Sequence, residues 1–228
     1  MTLSNSIVST SDRWEDKFPD AFAGALLIRD IINVNNSSSL SQKRAEVEQA
    51  VQKQFSGFSK EEIKSIPIIK SYQNHYKKFG KTYHVRLQLE SIILKGKSNS
   101  NPNGIVEAMF IAEMKNLLLT ACHDLTTTKP PVVFDASIGQ EIFTTISGQP
   151  QQLKPLDMIM RDSGGVICSV IYGPDSRTRV QKSTRDALYA VYAPAGIKKD
   201  QIFEHLKDIQ TNVLLFSPDA KTELLEVY

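Results

Sequence analysis

The residues best equipped for chemistry fall in one run, Pro102 to Arg179. His123-Asp124 follows the apolar stretch LLLTAC. An imidazole at a strand end can orient water or bind a ligand carboxyl or ribose; a surface or capping histidine fits the same residues. Glu141 opens a strand after Gly139-Gln140. It can fix a ligand amino group or satisfy backbone donors, and the glycine permits an unusual backbone conformation. Arg177 and Arg179 follow the strand GVICSVIYG. One residue apart, they can reach the same side of an extended segment and grip phosphate or carboxylate as planar forks. Ion pairs with Asp162, Asp175 or Asp186 are the alternative.

Other chemistries find less support. Cys122 and His123 are adjacent, and adjacent residues on a strand face opposite ways, so a buried inert thiol is expected rather than a nucleophile. His75 and His205 lie on helix faces, whereas His84 sits among Lys81, Tyr83 and Arg86, where it could touch phosphate. The chain has no G-x-S-x-G, P-loop or G-x-G-x-x-G motif. No His, Cys, Asp or Glu cluster has metal-ligand spacing. Neither a metal nor a cofactor is expected.

These residues need a scaffold, and 228 residues with 41% hydrophobic content supply a real core, as one large domain or two small ones. There is no 18-residue apolar run, so no membrane partner is expected, and the N-terminus lacks the basic and apolar regions of a secretory signal. Two cysteines give no disulfide framework, and reduced thiols point to the cytoplasm. A net charge of +2 does not suit an obligate duplex-DNA binder. Residues 60–97 nevertheless hold nine Lys and Arg against three Glu, and residues 200–228 six acids against two Lys. A basic patch beside a neutral pocket suits a substrate with a phosphate handle, and a charged helix can also be simply solvated.

Gly24–Val34 reads as a buried strand. Helices are expected over Ser41–Phe55, after a capping box at Ser59 and Glu62, and through Ile69, Tyr72, Tyr76 and Phe79 to a stop at Gly80. The opposite face of that last helix carries Lys70, Asn74, Lys77 and Lys78. A short helix over Leu87–Leu94 precedes the polar break KGKSNSNPNG, and Ile105–Leu118 is helical. Strands follow at Pro131–Ala136, Glu141–Ile146, Met158–Arg161, Val166–Tyr172 and Leu188–Tyr192, then a helix over Lys199–Ile209. Helices first and strands later, without regular alternation, favour α+β. A single domain over 1–228 is expected, with a helical part over 36–95 and a strand-rich pocket part over 102–192.

Residues 65 to 192 resemble the B3/B4 module of the phenylalanyl-tRNA synthetase beta subunit, and especially its free-standing relatives. Val106-Glu107 looks like the family's Val-Asp pair, Asp124 like its next acid, and Gly139-Gln140-Glu141 like its Gly-Glu. Ser147-Gly148, Leu153 and Arg161-Asp162 follow in order, and IKSYQNHYKKFGKT with QLESIIL is similar to the lysine- and tyrosine-containing helix of the free-standing proteins. The resemblance implies a three-layer fold, a β-sandwich of unusual topology flanked by helices. It also implies an editing activity that hydrolyses mischarged aminoacyl-tRNA, or a non-catalytic module binding RNA or an amino-acid-like ligand. In that reading His123, Glu141, Asp162, Tyr172, Arg177 and Arg179 line the pocket, and Lys70, Lys77, Lys78 and Lys81 meet tRNA phosphates. The family's pocket histidine falls on Ala121, which leaves His123, facing the same side, as the catalytic candidate. The acid that reads a tyrosine hydroxyl falls near Ala190, so tyrosine specificity does not carry over.

Overall fold

The computed structural model describes residues 7–96 and 100–228, so part of the polar break at 95–104 lies outside the described residues. The fold is α+β, and its order shows why helices and strands do not simply succeed one another. The chain opens with β1 (Val8–Thr10), α1 (Asp12–Lys17) and β2 (Phe22–Arg29). Four helices follow: α2 (Ser38–Gln54), α3 (Lys60–Ser65), α4 (Pro67–Lys77) and α5 (His84–Lys95). Next come α6 (Gly104–Asn116), β3 (Thr120–Asp124), β4 (Val132–Ala136), β5 (Ile142–Thr144) and β6 (Pro150–Gln152). The chain continues through β7 (Met158–Asp162), β8 (Gly165–Ser169), β9 (Gly173–Pro174) and β10 (Ala187–Ala193), and closes with α7 (Lys199–Leu214) and β11 (Lys221–Val227).

The early and late strands meet in one sheet of order β11-β2-β10-β3, all antiparallel neighbours. A second sheet runs β1-β4-β7-β8-β9, with β1 parallel to β4, and β5–β6 form a separate hairpin. Side chains alternate between the faces of the four-stranded sheet. On one face Tyr189 reaches α6 through a hydrogen bond from its hydroxyl to the Ile105 carbonyl, and Gly24 lies against Ile202 and Leu206 of α7. On the other, Tyr192 meets Phe134 of the second sheet at 5.3 Å between ring centroids. The layers are therefore helices, four-stranded sheet and five-stranded sheet.

Local chemistry explains the boundaries. The Ser59–Glu62 capping box is present at α3. Asn103 caps α6 by accepting from Ile105 and Val106 N–H. The strand read as Gly24–Val34 ends at Arg29, because Asp30 turns the backbone into the left-handed region (φ +59°). The strand read as Val166–Tyr172 ends at Ser169, whose hydroxyl accepts from Ile171 and Tyr172 N–H and curls the chain. Helix α1 is too short for periodicity; a Ser11 cap and the buried Trp14 hold it.

Two buried contacts fix the helices to this frame. Arg44 of α2 pairs with Glu107 of α6 through two hydrogen bonds, Nη2 to Oε2 at 2.8 Å and Nε to Oε1. The Tyr72 hydroxyl on α4 donates to the Tyr192 carbonyl at 2.7 Å and accepts from Leu119 N–H at 3.0 Å, while its ring stacks on Tyr83. Tyr72→Phe keeps the ring and orphans two buried backbone groups. We expect a loss of about 1–3 kcal/mol in urea denaturation; a change below a few tenths would show that these groups find water instead.

Candidate functional site

Strand β3 lies at the edge of the four-stranded sheet, and its outer side opens into a cavity of about 570 Å³. The deep wall comes from Met109 and Glu113 on α6, from residues 119–122, from Cys168, Ser169 and Val170, and from Tyr192. The mouth comes from His84, Asn101, Asn103, Ile146, Tyr172 and Arg179. The interior is mainly apolar with a few polar groups, the usual character of a small-molecule site.

Of the residues expected to line a pocket, Tyr172 and Arg179 border this cavity. Arg179 is exposed, and among the described residues no carboxylate pairs with it. Lys81 Nζ stands 5.7 Å from the centre of the Tyr172 ring, so the basic segment after α4 reaches the mouth. Lys70, Lys77, Lys78 and Lys81 are all exposed, and none forms an ion pair among the described residues.

The other expected residues lie apart from the cavity, held by partners of their own. His123 is fully buried. The Thr178 hydroxyl gives its one proton to Asp175, so it accepts from His123 Nδ1–H at 2.7 Å, and among the described residues His123 Nε2 has no partner. Burial, helped by the nearby Arg177 charge, lowers the His123 pKa to about 4 and keeps the ring neutral. Glu141 accepts from Ile138, Gly139 and Gln140 N–H and from the Ser137 hydroxyl. Burial alone would raise its pKa, and these donors hold it below the ordinary carboxyl range. Gly139 tightens this turn at φ +87°, where an added Cβ would meet Pro155 at 2.6 Å. Asp162 receives both ends of the Arg177 fork at 2.9 Å, and Lys129 and Gly164 N–H as well. Arg177 and Arg179 thus separate, one into an ion pair and one to the cavity mouth.

Sequence reasoning passed over Glu113 and Tyr192. Glu113 is 2% exposed. Its Oε1 accepts Thr120 N–H at 2.7 Å, and among the described residues no hydrogen bond reaches Oε2. The Tyr192 hydroxyl is buried on the cavity wall beside the Cys168 thiol, and among the described residues no oxygen or nitrogen pairs with it. The signal for Glu113 was available: GIVEAMFIAEMKN is apolar on every face, which marks a buried helix, so its acids had to be paired or functional. Glu107 is paired with Arg44; among the described residues no such cation pairs with Glu113.

Burial raises Glu113 to about 8, opposed by the Thr120 N–H. A folded-state pKa above the unfolded value means that the contribution is complete below pH 4.5 and is lost as pH rises through about 8. Glu113→Gln keeps the acceptor for Thr120 and removes the titration. Its stability relative to the parent should be unchanged near pH 4.5 and grow by on the order of a few kcal/mol toward pH 8 in urea titrations. A constant difference across that range would show that Glu113 is ionised in the fold.

No protein-family model matches this chain, and no curated protein matches it. Among solved structures, an N-terminal fragment of the phenylalanyl-tRNA synthetase beta-subunit from Pyrococcus horikoshii is similar at a TM-score of 0.52 and 13% sequence identity. The likeness covers 94% of this chain and 49% of that one, so the chain spans about half the length of the fragment. At this identity the likeness is one of fold.

Proposed function

We propose that the chain is an editing-type module of the B3/B4 class, a single domain that takes the aminoacyl end of a tRNA into the cavity and hydrolyses a mischarged ester in trans. The observation that carries this reading is a deep apolar cavity whose mouth is rimmed by cations: Arg179 on the wall and Lys81 over Tyr172. Lys70, Lys77 and Lys78 are exposed as well. Cations without protein carboxylates draw their counter-charge from solution, and a phosphate backbone displaces those ions with a gain in entropy. The fold likeness to a synthetase beta-subunit fragment adds the tRNA theme.

The chemistry asks little of the protein. An aminoacyl ester is already activated, so holding it beside a positioned water goes far toward hydrolysis. The terminal ribose hydroxyl of the tRNA can share the proton transfer. Tyr172 offers a face for the last base and Arg179 a fork for its phosphate. Glu141, Asp162 and Arg177 act in this reading through the loops they hold, and His123 by backing the β3 wall.

A second reading, a binding module without turnover, is favoured by one observation. His123, the candidate for activating water, has no exposed surface and does not border the cavity.

A panel of mischarged tRNAs incubated with stoichiometric protein tests the first reading, which predicts release of at least one amino acid. Absence of release from every member, with binding retained, selects the second. In both readings affinity falls steeply with salt. Replacing Lys70, Lys77, Lys78 and Lys81 by Ala should make the slope of log K against log salt shallower by about 3, at roughly 0.7–0.9 per phosphate. An unchanged slope would remove these lysines from the interface.

A further inference from the structure

We infer that the Glu113 carboxylate is the cavity's receptor for a primary ammonium group on the ligand. The inference rests on the cavity being the ligand site, as proposed above, and not on the ligand being tRNA.

The geometry supplies half of a polar contact. Glu113 borders the cavity from α6, nearly sealed from bulk water, with Oε1 taken by Thr120 N–H and Oε2 unbonded among the described residues. A buried carboxyl is normally paired, as Glu107 is with Arg44. Among the described residues, none of the groups around Glu113 supplies that pair. Facing it are the phenols of Tyr72 and Tyr76 on α4 and of Tyr83 just before α5, which carry no charge. From α7, His205 meets Thr120 at 2.7 Å and the Asn116 side chain at 3.2 Å, and burial lowers it to about 4, so it is neutral. The thiols of Cys122 and Cys168 and the Tyr192 phenol on the cavity wall are held protonated by burial. The basic groups at the mouth are His84, whose pKa burial lowers, and Arg179, and neither forms an ion pair with Glu113 among the described residues.

Among the described residues no cation completes the pair, and a ligand entering the cavity can bring one. An ammonium entering the cavity pairs with the carboxylate, and the proton that Glu113 held leaves to solvent. A neutral hydroxyl in the same place would release none. The ammonium can be the α-amino group of an aminoacyl unit or the terminal amine of a side chain.

Calorimetry with three small probes separates these cases. Phenylalaninamide carries only the α-ammonium, 5-aminopentanamide only a terminal one, and 3-phenylpropanamide neither. At pH 6.5, in two buffers of different ionisation enthalpy, at least one amine should bind tenfold or more tighter than 3-phenylpropanamide and release close to one proton. Which amine wins identifies the source. Glu113→Gln should abolish both the preference and the proton release. Equal affinities for all three probes, binding without proton release, or binding of none would overturn the inference, as would a Gln variant that keeps the preference. Should that variant fail to fold, the parent's proton count in the two buffers still decides. Amide binding without any tRNA binding sinks only the tRNA reading, and tRNA deacylation without amide binding sinks only this one.

Discussion

The Tyr72 hydroxyl ties the helical part of this molecule to two neighbouring strands at once. Tyr72 sits on α4, in the amphipathic stretch after the capping box, and its oxygen satisfies a carbonyl at the end of β10 and an N–H just before β3. Those strands are neighbours, so a single side chain sets where the sheet edge begins. Buried backbone groups tolerate no vacancy, which makes such a contact a constraint on position rather than a surplus of energy. Everything at the cavity inherits it. Leu119 through Cys122 form the deep wall, and Thr120 at their head orients both Glu113 and His205.

The cavity follows from the same economy. Strand β3 has β10 on one side, and on the other only its far end is covered, where Asp124 N–H meets the Thr178 carbonyl and His123 bridges Arg179. Nearer α6 the edge stays open. The second sheet curls away at Ser169, because that hydroxyl pulls two successive N–H groups around itself. An unfinished edge and an early turn leave the space that the mouth residues then rim. Charge is sorted in the same way. Asp162 is taken by Arg177 and Glu141 by a turn, while among the described residues Lys81 beside the mouth forms no ion pair.

Legibility in the sequence tracked how local each determinant is. Helix α4 could be read because Ile69, Tyr72, Tyr76 and Phe79 repeat on one face, and the capping box at Ser59 because its partners lie three residues apart. The inner strands were readable as apolar runs. Strands β1 and β11 were not, since their identity depends on partners far along the chain, Val132 and Leu27 among them. The site divided along the same line. Tyr172 and Arg179 follow a visible strand and reach the cavity. His123 carries the right functional group, but its burial is decided by Thr178 and Asp175, fifty residues away, and nothing local to His123 announces it. Glu113 was the reverse: a plain residue type made notable by the apolar helix around it.

Cys122 and Cys168 both border the cavity floor and are reduced and buried. Burial pushes the Cys168 thiol up to about 12 and the Cys122 thiol higher still, so neither offers a thiolate while the floor stays closed. The molecule therefore carries two silent chemical clocks at the bottom of its binding space. Their alkylation rate measures how often a reagent reaches the cavity floor, and a bound molecule that fills the cavity slows them without touching either sulfur.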